Sequence, residues 1–290
     1  MKNKANFHTH CNFCDGRNPA EDFVKAAIAE NFRACGFSSH SPLPFETFWN
    51  MPACKMPAYL NEIKRLKTLY AADIEIYASL EIDYLDESYN ASIPPLQTLP
   101  LDYRISSIHF MPWQLPHKEE NMICIDGEYD AFELSVNRHY GGNIKTAVQK
   151  YFDNSMKMVA AGGFDIVGHI DKIYMNARRH KDFDMNASWY RNPFLELLDL
   201  IAEKELIVEI NTKNKIKKGH TYPHVNSYRD LCKRKISVMI NSDAHSTDLI
   251  YEGINETIPL LQEAGFRSTR ELVKGKWEEI ELKNIQTITT

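Results

Sequence analysis

Apolar positions along the chain follow two periods in turn. Short runs rich in β-branched and aromatic residues recur as "NFHTH", "GFSSH", "IEIYASLEIDY", "YRISSIHF", "FDIVGHID", "LIVEINT" and "ISVMINSDAH". Between most of them, apolar residues return every three or four positions, which marks amphipathic helices. These runs are "AEDFVKAAIAENFRACG", "MPAYLNEIKRLKTLYAA", "NIKTAVQKYFDNSMKMVAAGG", "NPFLELLDLIAEKE", "NSYRDLCKRK" and "NETIPLLQEAG". Several begin after Asn, Asp or Pro or end in Gly, as capping requires. Strand and helix in alternation predict an α/β fold with parallel strands and helices outside them. Parallel strands are buried on both faces, which suits their apolar character.

Residues 111–141, "MPWQLPHKEENMICIDGEYDAFELSVNRHYG", fit neither period. They read as an insertion after a strand. A long stretch inside a compact domain is expected to form a structured flap, because long structureless loops are uncommon there. No low-complexity stretch or Pro/Gly-rich linker divides the chain, so one domain is expected over 1–280, with 281–290 as a C-terminal tail.

The strand-like runs share a second feature: each delivers an imidazole or a carboxylate near its C-terminal end. The groups are His8 and His10, then His40, Glu81, His109, His169 with Asp171, Glu209 with Asn211, and Asp243 with His245. In a parallel barrel those ends lie on one face, where active sites are built. A lone histidine there is ordinary. Seven segments that repeat the pattern are hard to explain as packing, because every buried polar group needs a partner. A shared metal cluster satisfies them together. In H-x-H and D-x-H on a strand, residues i and i+2 face the same side, so both side chains reach one ion. Histidine and carboxylate donors suit zinc, iron or manganese alike.

Composition narrows the function without naming it. The chain has 290 residues and a net charge of −5, which counts against a nucleic-acid binder that relies on a basic field. No run reaches the roughly 18 uninterrupted apolar residues of a membrane span. No charged segment leads into an apolar one at the N-terminus, so no signal peptide is expected, and a cytoplasmic location follows as the expectation. The six cysteines are scattered as reduced thiols would be, and Cys11-x-x-Cys14 has no second pair to complete a zinc site.

Taken in order, H-T-H, S-x-H-S-P, "LEIDY", "SSIHF", "VGHID", "VEINT" and "NSDAH" resemble the PHP (polymerase and histidinol phosphatase) domain family over residues 6–270. Asp15-Gly16 after H-T-H, S-x-H-F followed by an insertion that ends in "YGG", and "NT…TYP" before "SDAH" are similar to its stand-alone histidinol-phosphate phosphatase branch. The resemblance implies a distorted seven-stranded (β/α)7 barrel and three divalent metal ions. The first ion would take His8, His10, Glu81 and Asp243. The second would share Glu81 and take His109 and His169. The third would take Asp15, His40 and His245. The implied reaction is hydrolysis of the small phosphate monoester L-histidinol phosphate, with attack by a hydroxide made from metal-bound water, whose pKa a cation lowers toward about 7.

No G-x-S-x-G offers a covalent nucleophile. Asp171 is the candidate acid for the leaving oxygen. Glu209 and Asn211 are read as orienting groups or substrate contacts. Lys172 is the first candidate for the phosphate, ahead of Arg17, Arg178 and Arg179. Asp126, Glu128, Tyr129 and Asp130 are expected to face the cationic end of the substrate. Two alternatives remain open at this point: a phosphoesterase for nucleotides or nucleic-acid ends, and a metal-binding scaffold without activity.

Overall fold

Residues 4–113, 118–213 and 219–282 are described by a computed structural model. Part of the insertion, 114–117, and most of the expected tail, 283–290, lie outside them. Every run with helical spacing forms a helix: Ala20–Ala29, Met56–Leu69, Ile144–Ala161, Ser188–Glu203, Tyr228–Lys233 and Ile254–Ala264. The Asn143 side chain accepts from the Thr146 N–H and so caps the longest of them. The first helix is shorter than its apolar period suggested. Asn31 turns the chain at a φ of 59°, and "FRACGF" continues as a strand.

The strands are β1 (Lys4–Asn6), β2 (Phe32–Phe37), β3 (Glu75–Ala78), β4 (Glu81–Asp83) and β5 (Ile105–Ser107). They continue with β6 (Phe110–Pro112), β7 (Met122–Cys124), β8 (Ile166–Val167), β9 (Ile207–Asn211) and β10 (Val238–Asn241), then β11 (Ser268–Val273) and β12 (Lys276–Glu281). One sheet has the order β1-β2-β3 and another β10-β9-β8-β5-β4. All pairs in both are parallel. The run read as one strand over "IEIYASLEIDY" is broken at Ser79–Leu80, so that β3 pairs with β2 while β4 pairs with β5. Single parallel bridges link the two sheets, Thr9 to Ala244 just beyond β1 and β10, and His40 just beyond β2 to Glu81 at the start of β4.

Two antiparallel hairpins had no counterpart in the apolar pattern, β6-β7 and β11-β12. The first belongs to the insertion, which continues as a helix at Tyr129–Tyr140 that ends on Gly141 in the left-handed region.

The main core lies between sheets and helices. Phe23, Leu66, Phe152 and Leu197 meet Phe37, Ile82, Val167 and Val208 there, all fully buried. A smaller core is shared by the two sheets: Ala5, Phe7, Ala34, Tyr77, Tyr103, Ile105, Ile166, Ile207 and Met239. Its tight packing explains Gly36, where an added Cβ would collide with the Tyr103 hydroxyl. Strand periodicity then stacks the sequence in layers. On the face that carries Ile207, β9 continues with Glu209 and Asn211. Met239 on β10 is followed by Asn241 and Asp243, and Ile105 on β5 by Ser107 and His109. β5, β9 and β10 are therefore apolar where they start and polar or ionisable where they finish.

Candidate metal centre

The ionisable layer closes around one carboxylate. Glu81 is 1% exposed. Its Oε2 stands 3.1 Å from His8 Nε2, 3.4 Å from His10 Nε2 and 3.1 Å from His40 Nδ1. Its Oε1 stands 2.8 Å from His169 Nε2 and 3.5 Å from His109 Nε2. Asp243 Oδ1 lies 3.2 Å from His10 Nε2 and 3.4 Å from His245 Nδ1. Asp15 lies at the rim, with Oδ2 3.3 Å from His245 Nε2 and Oδ1 3.8 Å from His40 Nε2.

Apart from the hydrogen bond between His169 Nε2 and Glu81 Oε1, most of this proximity is not ordinary hydrogen bonding. Among the described residues, His8 Nε2, His10 Nε2, His40 Nδ1 and Glu81 Oε2 are buried without an aligned partner. Buried polar atoms in that condition are costly. They are the donor set a cation requires, and they fit one. Three groups have ligand atoms within 4.8 Å of one another: His10, Asp15, His40 and His245; His8, His10 and Asp243; His40, Glu81 and His109. The first holds the expected Asp15, His40 and His245 with His10 added; the second holds His8, His10 and Asp243 without the expected Glu81. In the third, His40 stands where His169 was expected, although His169 still reaches Glu81.

Charge follows the same logic. Burial pushes the Glu81 carboxyl up, but His8, His109 and His40 outweigh it and hold the group well below the usual carboxylate range. Asp243 is also held down, with burial opposed chiefly by Lys213 and His8. Burial and neighbouring cations lower His10, His169 and His245, which favours their neutral form. Burial alone would lower His109, but Asp83 and Glu81 raise it to about 9. Ionised carboxylates and neutral imidazoles are metal-binding forms, and a bound cation displaces the protons that remain.

Behind the ligands lies a supporting ring. Glu209 Oε1 takes His8 Nδ1 at 2.5 Å and the Asn241 amide at 3.1 Å. Its Oε2 takes the His169 backbone N–H and the Asn211 amide. The Asn211 amide also donates to Asp243 at 3.1 Å. Asp83 takes both the backbone N–H and Nδ1 of His109. Cys14 Sγ lies 3.6 Å from His10 Nδ1, and Trp49 packs edge-on against His40 and His109. Glu209 and Asn211 thus face the ligands with both ends engaged. Asp83 and Trp49 escaped the sequence reading, although Asp83 follows Glu81 at the spacing of a shared strand face.

Two lysines reach the centre. Lys172 is 3% exposed, and its Nζ lies 3.6 Å from Asp126 Oδ2. Burial would lower it, but Asp126, Asp243 and Glu81 raise it, so it remains a cation. Lys213, which no motif singled out, places Nζ 3.2 Å from Asp243 Oδ1. Arg17 is exposed, with its backbone N–H on the His245 carbonyl. Arg178 and Arg179 are exposed and lie over the Tyr174 and Tyr129 rings.

Asp171 is not brought together with the histidines. Its Oδ2 accepts the His224 backbone N–H, and its charge acts on Tyr151, Tyr190 and Tyr228. Burial pushes its carboxyl up to about 7. Of the insertion's four candidates, Asp126 contacts Lys172, while Glu128 and Asp130 are exposed and Tyr129 donates to Glu133.

A profile described as the PHP domain matches residues 6–213. A probable histidinol-phosphatase of Deinococcus radiodurans is 22% identical over 274 residues, 92% of this chain and 96% of that protein. A histidinol-phosphatase of Bacillus subtilis is 24% identical over 258 residues, 83% of this chain and 93% of its own length. Among solved structures, the histidinol phosphate phosphatase of Lactococcus lactis, complexed with zinc, L-histidinol and phosphate, superposes with a TM-score of 0.74 at 20% identity. That match covers 95% of this chain and 99% of the other.

Proposed function

The chain belongs to the PHP domain family, and from that premise we propose that it is a metal-dependent phosphomonoesterase that converts L-histidinol phosphate to L-histidinol and phosphate. The observation that carries the reading is Glu81, one buried carboxylate within 3.5 Å of five imidazoles. The relatives named above, aligned along nearly their whole length, give the substrate. A biosynthetic role in the cytoplasm accompanies it; no described helix is long and apolar enough to cross a membrane.

The fold reading extends to a distorted seven-stranded barrel. Counting β3 and β4 as one interrupted strand leaves seven parallel strands, and the Thr9–Ala244 and His40–Glu81 bridges support closure.

Three divalent ions, of zinc, iron or manganese, are proposed. His8, His10, Glu81 and Asp243 would hold one. Glu81, His109 and His169 would hold a second, with His40 within reach. Asp15, His40 and His245 would hold the third. When bound, such ions supply positive charge for the phosphoryl oxygens and lower the pKa of water toward about 7. The chain's own groups do the rest. Glu209, Asp83 and Asn211 fix the ring orientations and carboxylate directions. Lys172, 3% exposed, would offer the phosphate a cation whose charge counts for more away from water. Asp126, held ionised at about 2 against burial by Lys172 and His109, faces the same space and would meet the amine of the substrate. Asp171 accepts the His224 backbone N–H and is proposed to support that turn rather than to transfer a proton.

Phosphate release from histidinol phosphate, AMP, a dinucleotide and an aryl phosphate, with metal content measured on the same sample, tests the reading. A strong preference for histidinol phosphate is expected. A preference for AMP or the dinucleotide would overturn the substrate and leave the metal chemistry standing.

A further inference from the structure

Cys11-x-x-Cys14 has no second pair with which to build a zinc site of its own, yet the fold sets Cys14 against the metal centre. Its Sγ lies 3.6 Å from His10 Nδ1 and 3.5 Å from the Cys11 carbonyl oxygen. The backbone fixes that approach. The Cys14 N–H donates to the Cys11 carbonyl at 3.0 Å, and the Asn12 N–H to the Asn18 carbonyl at 3.0 Å. Gly16 lets the turn close on itself, since a Cβ there would collide with the His10 carbonyl. The neighbouring Asp15 reaches His245 and His40 instead.

The two nitrogens of His10 have separate surroundings. Nε2 is directed at Asp243 Oδ1 and Glu81 Oε2, at 3.2 and 3.4 Å, and is buried without an aligned partner. A neutral imidazole that gives the Nε2 lone pair to a cation carries its proton on Nδ1. That N–H meets Cys14 Sγ. The thiol accepts it on sulfur and donates its own hydrogen to the Cys11 carbonyl, so both of its capacities are used. Two other rings of the centre are held in the same way, His8 by Glu209 and His109 by Asp83, each through Nδ1. There the partner is a carboxylate, and at His10 it is a thiol. None of the three groups of converging ligand atoms includes Cys14.

We infer that Cys14 is a positioning residue for His10: its thiol accepts the Nδ1 proton and so holds the ring with Nε2 free for a cation. The inference rests on the metal-centre reading above. It gives one half of the C-x-x-C a role that is neither metal ligand nor redox partner. A neutral acceptor suits this place. His10 converges with Asp15 in one ligand group and with Asp243 in another, so carboxylates already flank the ring. A thiol orients it without burying a further charge. Partners of this kind behind a metal ligand fix its tautomer and ring orientation.

The test is metal affinity, read without substrate. Wild type, Cys14→Ser and Cys14→Ala are stripped of metal and titrated with Zn²⁺ against a chromophoric chelator. Both substitutions remove the sulfur and its packing, but only serine keeps a donor and an acceptor. One equivalent should bind about tenfold more weakly in Cys14→Ala, the low end of the loss expected behind a metal ligand, and close to wild type in Cys14→Ser. Equal weakening in the two variants, or none in either, overturns the inference. A second measurement needs no variant that must fold. With isotope-labelled histidine, NMR of the zinc-loaded wild type should show His10 protonated on Nδ1 and metal-bound through Nε2, and the reverse tautomer overturns the inference. So does a thiolate-to-cobalt charge-transfer band in the Co²⁺-loaded wild type that is missing from Cys14→Ser, because it would make Cys14 a ligand. Each of these failures leaves the phosphatase reading intact. A wild type that takes up no ion at all overturns both.

Discussion

Ile207 and Asn211 lie on one face of one strand, four residues apart, in surroundings that obey different rules. Ile207 packs with Ile105, Ile166 and Met239 in the small core shared by the sheets. Asn211 divides its amide between Glu209 and Asp243. The first environment is satisfied by shape alone: apolar surface is removed from water, and fully burying such a side chain contributes about 1.5–3 kcal/mol. The second contains buried nitrogens and a carboxylate oxygen without aligned partners, a condition that costs stability until something binds. On β5, β9 and β10 the starting ends hold the fold together, and the finishing ends and the residues just beyond them hold a site for charge.

The widest separation between the two ends is expected from Glu81→Ala. Loss of the carboxylate that faces five imidazoles should lower phosphate release by about a thousandfold or more, since metal charge stabilisation is worth several kcal/mol. It should also abolish the drop in thermal stability that a chelator causes in the wild type, because a bound ion stabilises only a protein that holds it. An active Glu81→Ala with an unchanged metal content would erase the distinction.

At the other end, Ile105→Ala should cost about 2–5 kcal/mol in urea unfolding, from lost burial and the cavity left behind. Its metal content and rate per folded molecule should match wild type. A large loss of bound metal with little loss of stability would mean that the apolar layer positions the ligands.

Much of this contrast was legible in the chain, for physical reasons. Strand and helix periods are local, so the helices at Met56–Leu69 and Ile144–Ala161 stand where their spacing put them. The strand-end histidines stood out because a buried imidazole on an apolar strand contradicts its neighbours, and contradictions mark sites. Groups that act across the fold were harder to see. Lys213 looks like one of several lysines in its stretch, and only the return of its side chain over Asp243 sets it apart. The β11-β12 hairpin alternates weakly, with the pattern of exposure of a half-covered ribbon, so its Leu272 and Trp277 gave no signal that they pack on the second core. Asp171 shares a segment with His169, but its hydrogen bond to the His224 backbone, from a distant stretch of chain, could not be read from spacing.

That placement of Asp171 yields the next test. Its carboxyl is pushed up to about 7 by burial, against about 3.9 in an unfolded chain. The folded state therefore holds a proton that the unfolded state has released. Its contribution is present in full below about pH 4 and is lost as pH rises toward 7, by roughly 4 kcal/mol on that shift. Asp171→Asn imitates the protonated acid. In metal-free protein its urea midpoint should fall less than the wild type's between pH 4.5 and 8, while the metal-loaded enzyme keeps its rate. A hundredfold loss of rate would return Asp171 to the catalytic acid that the sequence suggested.

The smallest expected effect decides between two roles for Glu209. As an orienting group it holds His8 by Nδ1 and leaves Nε2 directed at Glu81 and Asp243. Glu209→Gln keeps the shape and an acceptor oxygen but removes the charge that supports the ring. Substitutions behind metal ligands typically cost 10- to 100-fold in affinity or activity, and a retained acceptor should place this one near tenfold. Tighter chelator competition at one ion with an unchanged KM is the pattern of an orienting residue. A raised KM with normal metal affinity is the pattern of a substrate contact. The second outcome would require Glu209 to release His8, Asn211 or Asn241 when substrate binds. Because both its oxygens are already engaged by partners from β1, β8, β9 and β10 or the residues just beyond them, the first pattern is the one the geometry predicts.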